Sequence, residues 1–313
     1  MNNAPPPKLF DPARVARNRD RASFRYQNYA FLKQRESSHL LERLADVSRQ
    51  FGSALDLGGH DGTSAQALRR SGQVADILVQ EPSEAMAHQA REQGFQTVVG
   101  PLAHLPYAPG RFDLVTSVLS LHWANDLPGT LVQIREVLKP DGLFLGCLFG
   151  GATLQELRTS LIEAESALLG GITPRLSPMP GLQDMAGLLQ RAGFALPVAD
   201  VDRVTVRYSS PLKLLEDLKG MGEQAAFAQR EREPRQPLSR RLLAAMDAAY
   251  RDRFSDPDGK VRATFDIVWL SGWTPAPSQP KPLRPGSGKV SMADAVRKMR
   301  ASGPPGEGSG GAS

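Results

Sequence analysis

Residues 54–62 read ALDLGGHDG: an apolar strand pattern that meets an acid, then glycines, and opens into the helix pattern SAQALRR. Glycine lets backbone approach a ligand closely, and the first N–H groups of a helix present positive dipole ends to it. The turn therefore suits a nucleotide-type ligand, while a plain tight turn reads the same way. Asp56, Gly58, Gly59 and Gly62 are its candidate binding positions. The next strand pattern ends ILVQEP, placing Glu81 about twenty residues beyond the glycines, where a carboxylate can accept from two ribose hydroxyls or simply open a helix beside Pro82. His122 and Trp123 follow a fourth strand pattern. There an imidazole can move a proton and an indole can stack on a planar cation, or both can be core packing. Glu216, Asp217 and Glu223 in EDLKGMGE could hold a guanidinium by paired hydrogen bonds, or lie on a solvated face. Asn125 and Asp126 read as helix caps, Thr153 and Glu156 have capping-box spacing, and Cys147 reads as a small buried hydrophobe.

These residues need a frame that brings strand ends together. Apolar, β-rich runs at 53–57, 74–79, 95–99, 112–119 and 142–149 alternate with helix patterns near 62–70, 83–92 and 128–138. Such alternation predicts a parallel sheet with crossover helices. Two further strand patterns, 195–208 and 261–270, make the expected fold class α/β: a doubly wound, seven-stranded, mostly parallel sheet with a helical cap insertion and a disordered C-terminal tail. The expected organisation is a disordered 1–10, a basic helical arm at 11–52, a sheet domain at 53–208 and 261–273, a cap at 209–260 containing QREREPR, and a Pro/Gly/Ser-rich flexible tail at 274–313. Within that tail, 290–300 carries helical spacing.

With 41% hydrophobic and 23% charged residues, the 313-residue chain has the composition of a globular protein rather than a disordered one. Its single cysteine excludes an intrachain disulfide or a Cys-built metal centre within one chain, and its five histidines show no paired-ligand spacing, so no metal site is expected. No run of eighteen apolar residues and no signal-peptide pattern occurs, which predicts a cytoplasmic location. Residues 1–50 hold ten Lys/Arg against five Asp/Glu, so an arm bearing Arg14, Arg17, Arg19, Arg21 and Arg25 could meet an anionic membrane surface or an acidic partner, or be a solvated face. Nucleic acid is not expected, because no aromatic-interleaved basic patch accompanies the charge.

The order and spacing of D-x-G-x-x-x-G at 56–62, the acid after the second strand, FDLVTSVLSLHW and LKPDG resemble class I S-adenosylmethionine-dependent methyltransferases, a Rossmann-like fold. The competing dinucleotide-binding oxidoreductases carry a G-x-G-x-x-G fingerprint that is absent. The resemblance implies S-adenosylmethionine as cofactor, with Asp56, Gly58, Gly59 and Gly62 near its methionine end, Glu81 on the ribose, Leu102 by the adenine and Ser117 at the cofactor edge. Two positions depart from the pattern. His60 stands where that family has its middle glycine and is expected to bring an imidazole toward the cofactor, and Pro101 replaces the acid often found after the third strand. LSLHWANDLP, LKPDGLFLGCLFGGATLQELRTSLIEAE, GGITPRLSP, LLEDLKGMGE and ATFDIVWLSGW are similar to a family of respiratory complex I assembly factors that has this fold. That similarity implies a protein partner, an iron–sulfur subunit of complex I, and modification of its arginine by hydroxylation; His122 and Trp123, from their place after the fourth strand, are the candidate catalytic residues. Methyl transfer to a small acid or acyl carrier, as in biotin synthesis, and a non-catalytic chaperone role are the alternatives. The location implied is cytoplasmic and bacterial, with possible peripheral contact at the inner membrane through the basic arm.

Overall fold

A computed structural model describes residues 8–228 and 237–279, of which those up to Ala276 form one compact unit. Pro277–Ser313 form a second unit of which only 277–279 are described. The QREREPR segment, the tail from 280 and its helical spacing at 290–300 lie outside the described residues.

Seven strands form one sheet: β1 (Phe51–Leu57), β2 (Val74–Glu81), β3 (Gln96–Val99), β4 (Phe112–Val118), β5 (Leu138–Gly150), β6 (Ala195–Tyr208) and β7 (Val261–Trp273), in the order β3-β2-β1-β4-β5-β7-β6. β1 to β5 pair in parallel and β7 runs antiparallel to both its neighbours. The expected doubly wound, mostly parallel sheet is therefore present. Strand order reverses between β1 and β4, and a crevice for a ligand opens beyond the carboxyl ends of strands at such a point. β4, FDLVTSV, is buried along its whole length, as a central strand covered on both faces must be.

Period-two alternation divides the core. Leu145, Cys147 and Phe149 of β5 and Phe265, Ile267 and Trp269 of β7 join one cluster with α2 (Phe31–Ala45), α6 (Gln155–Leu169), α8 (Pro211–Gly220) and α9 (Arg240–Phe254). Phe144, Leu148, Val268 and Leu270 face the other way, against α5 (Leu127–Val137) and α7 (Leu182–Arg191). The crossover helices α3 (Thr63–Ser71) and α4 (Glu84–Glu92) serve the β1–β2–β3 side.

β5 ends opposite Asp266, so within the sheet residues 261–265 of β7 pair with β6 alone, Val261 also bridging to Ser255, and they extend past the carboxyl ends of the parallel strands. Residues 209–260 supply α8 and α9 to this extension, where the Tyr250 hydroxyl donates to the Arg262 carbonyl at 2.8 Å. The N-terminal segment is not a free arm. Its first helix, α1 (Pro12–Ser23), starts on Asp11, whose carboxylate accepts from the Ala13 N–H, and it packs against α4 and α8. Phe10, expected within a mobile stretch, is buried, because Asn125 accepts from its N–H and donates to its carbonyl while Phe10 bridges to Phe227. Asn125 is thus spent on this clamp, and Asp126 alone caps α5. Among the described residues no helix is long and apolar enough to cross a membrane.

Candidate functional site

β1 ends in a turn with three left-handed residues, Gly58 at φ +70°, His60 at +53° and Gly62 at +92°. Gly58 also has no room for a side chain, since a Cβ there would lie 2.4 Å from that of Ser120. Asp56 is fully buried and accepts from Ser64 Oγ at 2.6 Å and Thr116 Oγ1 at 3.2 Å, binding the start of α3 to the central strands. Burial lifts its carboxyl above the ordinary range despite Lys33 and these hydroxyls. Ser117 Oγ donates to the Leu57 carbonyl at 2.7 Å. Asp56 and Ser117 therefore build the turn, whereas Leu102 is buried beside Gly58.

Glu81 ends β2 with its carboxylate facing the turn, where it accepts from the N–H groups of His60 and Ser83, both at 3.0 Å. Its other partner was not foreseen. Arg19 of α1 reaches into the crevice and donates from Nη1 to both Glu81 oxygens, at 2.9 and 3.1 Å, and from Nη2 to Ser120 Oγ at 3.1 Å. Both side chains of this pair are 0% exposed. Asp20 holds the helix there by accepting from Ser83 Oγ at 2.6 Å and the Ala85 N–H at 3.2 Å, at the start of α4. The expected outward basic arm is corrected at this position: Arg19 lies on the buried stripe Val15, Asn18, Arg19, Ala22. That helical spacing was present in the sequence, but a cation on an inward face is only stable once a buried acid is known to meet it.

Lys33 of α2 is the second buried cation. Its Nζ donates to the carbonyls of Gly58 at 3.2 Å and Val118 at 2.8 Å and lies 3.2 Å from His60 Nδ1. Burial lowers its pKa. The His60 ring stacks on Tyr26 with centroids 5.4 Å apart, so the imidazole turns toward the N-terminal helices. Burial, then Arg19 and Lys33, hold the His60 pKa well below 6.5. The unfolded chain therefore binds a proton near pH 6.5 that the folded chain refuses, and the resulting stability is complete above that pH and declines as pH falls. Urea midpoints at pH 7.5 and 5.5 should show this decline in the native chain and a smaller one in His60→Asn, asparagine being tolerant of the left-handed backbone. Equal declines would assign the acid sensitivity elsewhere.

β4 runs on through Leu119 and Ser120 into a 3-10 turn, Leu121–Trp123. Here the structure unites three sequence candidates. One oxygen of Glu223, Oε2, lies 2.9 Å from His122 Nε2 and accepts from Trp123 Nε1 at 2.8 Å. Burial would raise the Glu223 carboxyl, but His122, Arg19 and Trp123 outweigh it and hold the pKa below the ordinary range. While Nε2 bonds the carboxylate, His122 Nδ1 is buried without a hydrogen bond among the described residues. Glu216 and Asp217 do not join the group. Glu216 binds Lys213 and the Tyr29 hydroxyl, and Asp217 bonds Tyr208. Trp123 packs edge-on against Phe10 at 5.1 Å rather than waiting for a cation.

Two cavities meet at this group. One lies by the glycine turn, lined by Tyr26, Lys33, His60 and Met221, and the other lies toward α6, lined by Trp123, Leu154, Arg158, Ser177 and Leu218. Phe149 and Glu223 line both. The expected capping box of α6 is absent, because Thr153 Oγ1 donates to the carbonyls of Gly150 and Asp266 while Glu156 accepts from the N–H and hydroxyl of Thr264. Those bonds tie α6 to β7, and left-handed Leu154 takes the cap position. Cys147 is buried, which pushes its thiol pKa up and leaves it inert.

A group of potential metal ligands, Glu36, His39 and Asp202, assembles from distant segments within 4.8 Å, which histidine spacing alone could not reveal. Arg35 bridges the two acids and Trp269 Nε1 donates to Glu36 at 3.1 Å, so both acids already have partners within the protein. A nucleoside cofactor fits the crevice in its glycine turn and in the aim of Glu81. Arg19 already holds the Glu81 carboxylate that a ribose would need.

A family model for a methyltransferase domain matches residues 55–146. The arginine-hydroxylase NDUFAF5, mitochondrial, of Danio rerio is 39% identical over 91% of this chain and 89% of its own. A malonyl-[acyl-carrier protein] O-methyltransferase of Halorhodospira halophila is 33% identical over 83% of this chain and 86% of its own. Among solved structures, the YcgJ protein of Bacillus subtilis superposes with a TM-score of 0.53 at 15% identity, covering 76% of this chain and 99% of that one, a likeness of fold.

Proposed function

This chain belongs to the methyltransferase-fold family of the arginine-hydroxylase NDUFAF5, and on that premise we propose that it binds S-adenosylmethionine and acts in assembly of respiratory complex I by modifying an arginine of an iron–sulfur subunit. The observation that carries this reading is Glu223, buried between two cavities and oriented by His122 and Trp123. When bound, S-adenosylmethionine supplies an electrophilic methyl group on a sulfonium. Glu81 holds its ribose once Arg19 has moved, and Gly58, Gly59 and Gly62 let the backbone pass close to it. A carboxylate is the natural partner of a planar guanidinium. Glu223 fills that role on the acceptor side, Trp123 shapes the wall, and His122 accepts a proton at Nδ1.

The outward side of α1 supports contact with the inner membrane surface from the cytoplasm. Arg21 near its end and Arg25 just beyond it flank the cap residue Phe24, which is 88% exposed. A second reading, methyl transfer to the carboxylate of a small acid or acyl carrier, is favoured by Arg158 on the wall of the acceptor cavity.

Calorimetric titration with S-adenosylmethionine should give micromolar binding that Glu81→Ala abolishes. Mass analysis of complex I from cells lacking this chain should then show an unmodified arginine, restored by the native chain and not by Glu81→Ala. A gain of one oxygen means hydroxylation and a gain of one methylene means methyl transfer. Normal complex I in the null strain would end this reading, and rescue by Glu81→Ala would leave a chaperone.

A further inference from the structure

Glu81, the carboxylate a ribose would need, is 0% exposed, and so are Ser83, which donates its N–H to it, and Ser120, which shares its arginine. A nucleoside reaches it only after what covers it has moved. What lies over it is α1, and that helix is bonded to both sides of the crevice. Three consecutive residues divide the work. Arg19 and Asp20 hold Glu81 and the start of α4, while Asn18, itself buried, donates from Nδ2 to the Gln224 carbonyl at 2.9 Å. Gly222 closes on the same turn of helix, since a Cβ there would lie 3.2 Å from both Cα and Cγ of Arg19. The guanidinium, sealed from solvent, has no open space to swing into while α1 stays seated. Ahead of the helix, the Asp11 N–H donates to the Ala226 carbonyl at 2.8 Å and the Ala228 N–H to the Leu9 carbonyl at 2.9 Å, on either side of the Phe10–Phe227 bridge. Residues 222–228 are thus fastened to the N-terminal segment from Leu9 to Arg19, and Glu223 lies among them.

We propose that α1 is a gate shared by the two sides of the crevice: a nucleoside reaches Glu81 only when α1 lifts, and the lift unfastens residues 222–228, the segment that carries Glu223. This rests on the reading of the crevice as the nucleoside site. The open gate is one state seen from two places, so a ligand that favours it at Glu81 loosens the chain around Glu223 as well.

Hydrogen exchange is followed on the full-length chain with and without S-adenosylhomocysteine, whose binding is measured by calorimetry. The ligand should slow exchange at residues 58–62 and speed it roughly tenfold or more at the Asp11 and Ala228 amides, whose bonds fasten the gate. Asn18→Ala removes the bond to Gln224 and leaves the Arg19–Glu81 pair in place. It should bind S-adenosylhomocysteine about fivefold more tightly, the worth of one hydrogen bond holding the gate shut, with thermal melting confirming that it folds. Slower exchange at Asp11 and Ala228 in the complex, or weaker binding by Asn18→Ala, would make α1 a lid closed over a bound nucleoside and overturn the gate. Protection of the turn with those two amides unchanged would mean entry without lifting α1, and would overturn it too. No heat of binding and no change in exchange anywhere would overturn the nucleoside reading itself, and the gate with it.

Discussion

Replacing Arg19 with methionine should weaken the fold and strengthen the cofactor site at once. Arg19 and Glu81 form an ion pair with both side chains fully buried. Removing one member leaves an uncompensated charge away from water, a loss of about 3–5 kcal/mol. Glu81→Gln should cost a similar amount, and the double variant, with neither charge, should recover most of it. Affinity should move the other way. If the guanidinium holds the ribose carboxylate in about nine molecules out of ten, its removal tightens S-adenosylmethionine binding by about tenfold. Urea denaturation of the four chains and calorimetry on the native chain and Arg19→Met measure both effects. Weaker binding by Arg19→Met would show that the guanidinium belongs to the bound state and does not compete with the ribose.

Glu223→Gln should lower turnover by about a hundredfold or more, because an amide neither neutralises a guanidinium nor sustains a protonated His122. The same substitution reads out in acid. The Glu223 carboxyl is held below its ordinary 4.5 by His122, Arg19 and Trp123 against the effect of burial. The stability it contributes is thus fully present above about pH 4.5 and lost as pH falls through the lower folded value. Glu223→Gln should lose stability at pH 7 and show a shallower decline below pH 4.5 than the native chain. Unchanged turnover would remove Glu223 from the reaction, while an unchanged acid limb would mean that the charge is not paired in solution.

Much of the frame was legible along the chain. β4 and β5 announced themselves as apolar runs because a central parallel strand is buried on both faces, and β6 was readable to its ends at Ala195 and Tyr208. The Gly58–Gly62 turn was readable because few residues accept left-handed backbone where side-chain room is also denied. The candidate site was legible in its members and not in its pairings. Glu223 was grouped with Glu216 and Asp217 from proximity in sequence, yet α8 ends at Gly220 and the chain then turns, carrying only Glu223 to His122. Thr153 and Glu156 had the spacing of a cap, and tertiary bonds to β7 overrode it.

Backbone preference and hydrophobic period act within a few residues, so the local elements, the sheet class and Glu81, His122 and Glu223 as groups able to do chemistry could be read along the chain. What those groups meet is set by the folding of distant segments onto one another. Arg19 lies 62 positions from Glu81, and His122 lies 101 from Glu223. Whether a charge faces water or a buried partner depends on which helix the strand order lays across the crevice. Electrostatic energy depends on distance in space and on exclusion of water, neither of which is set by separation along the chain.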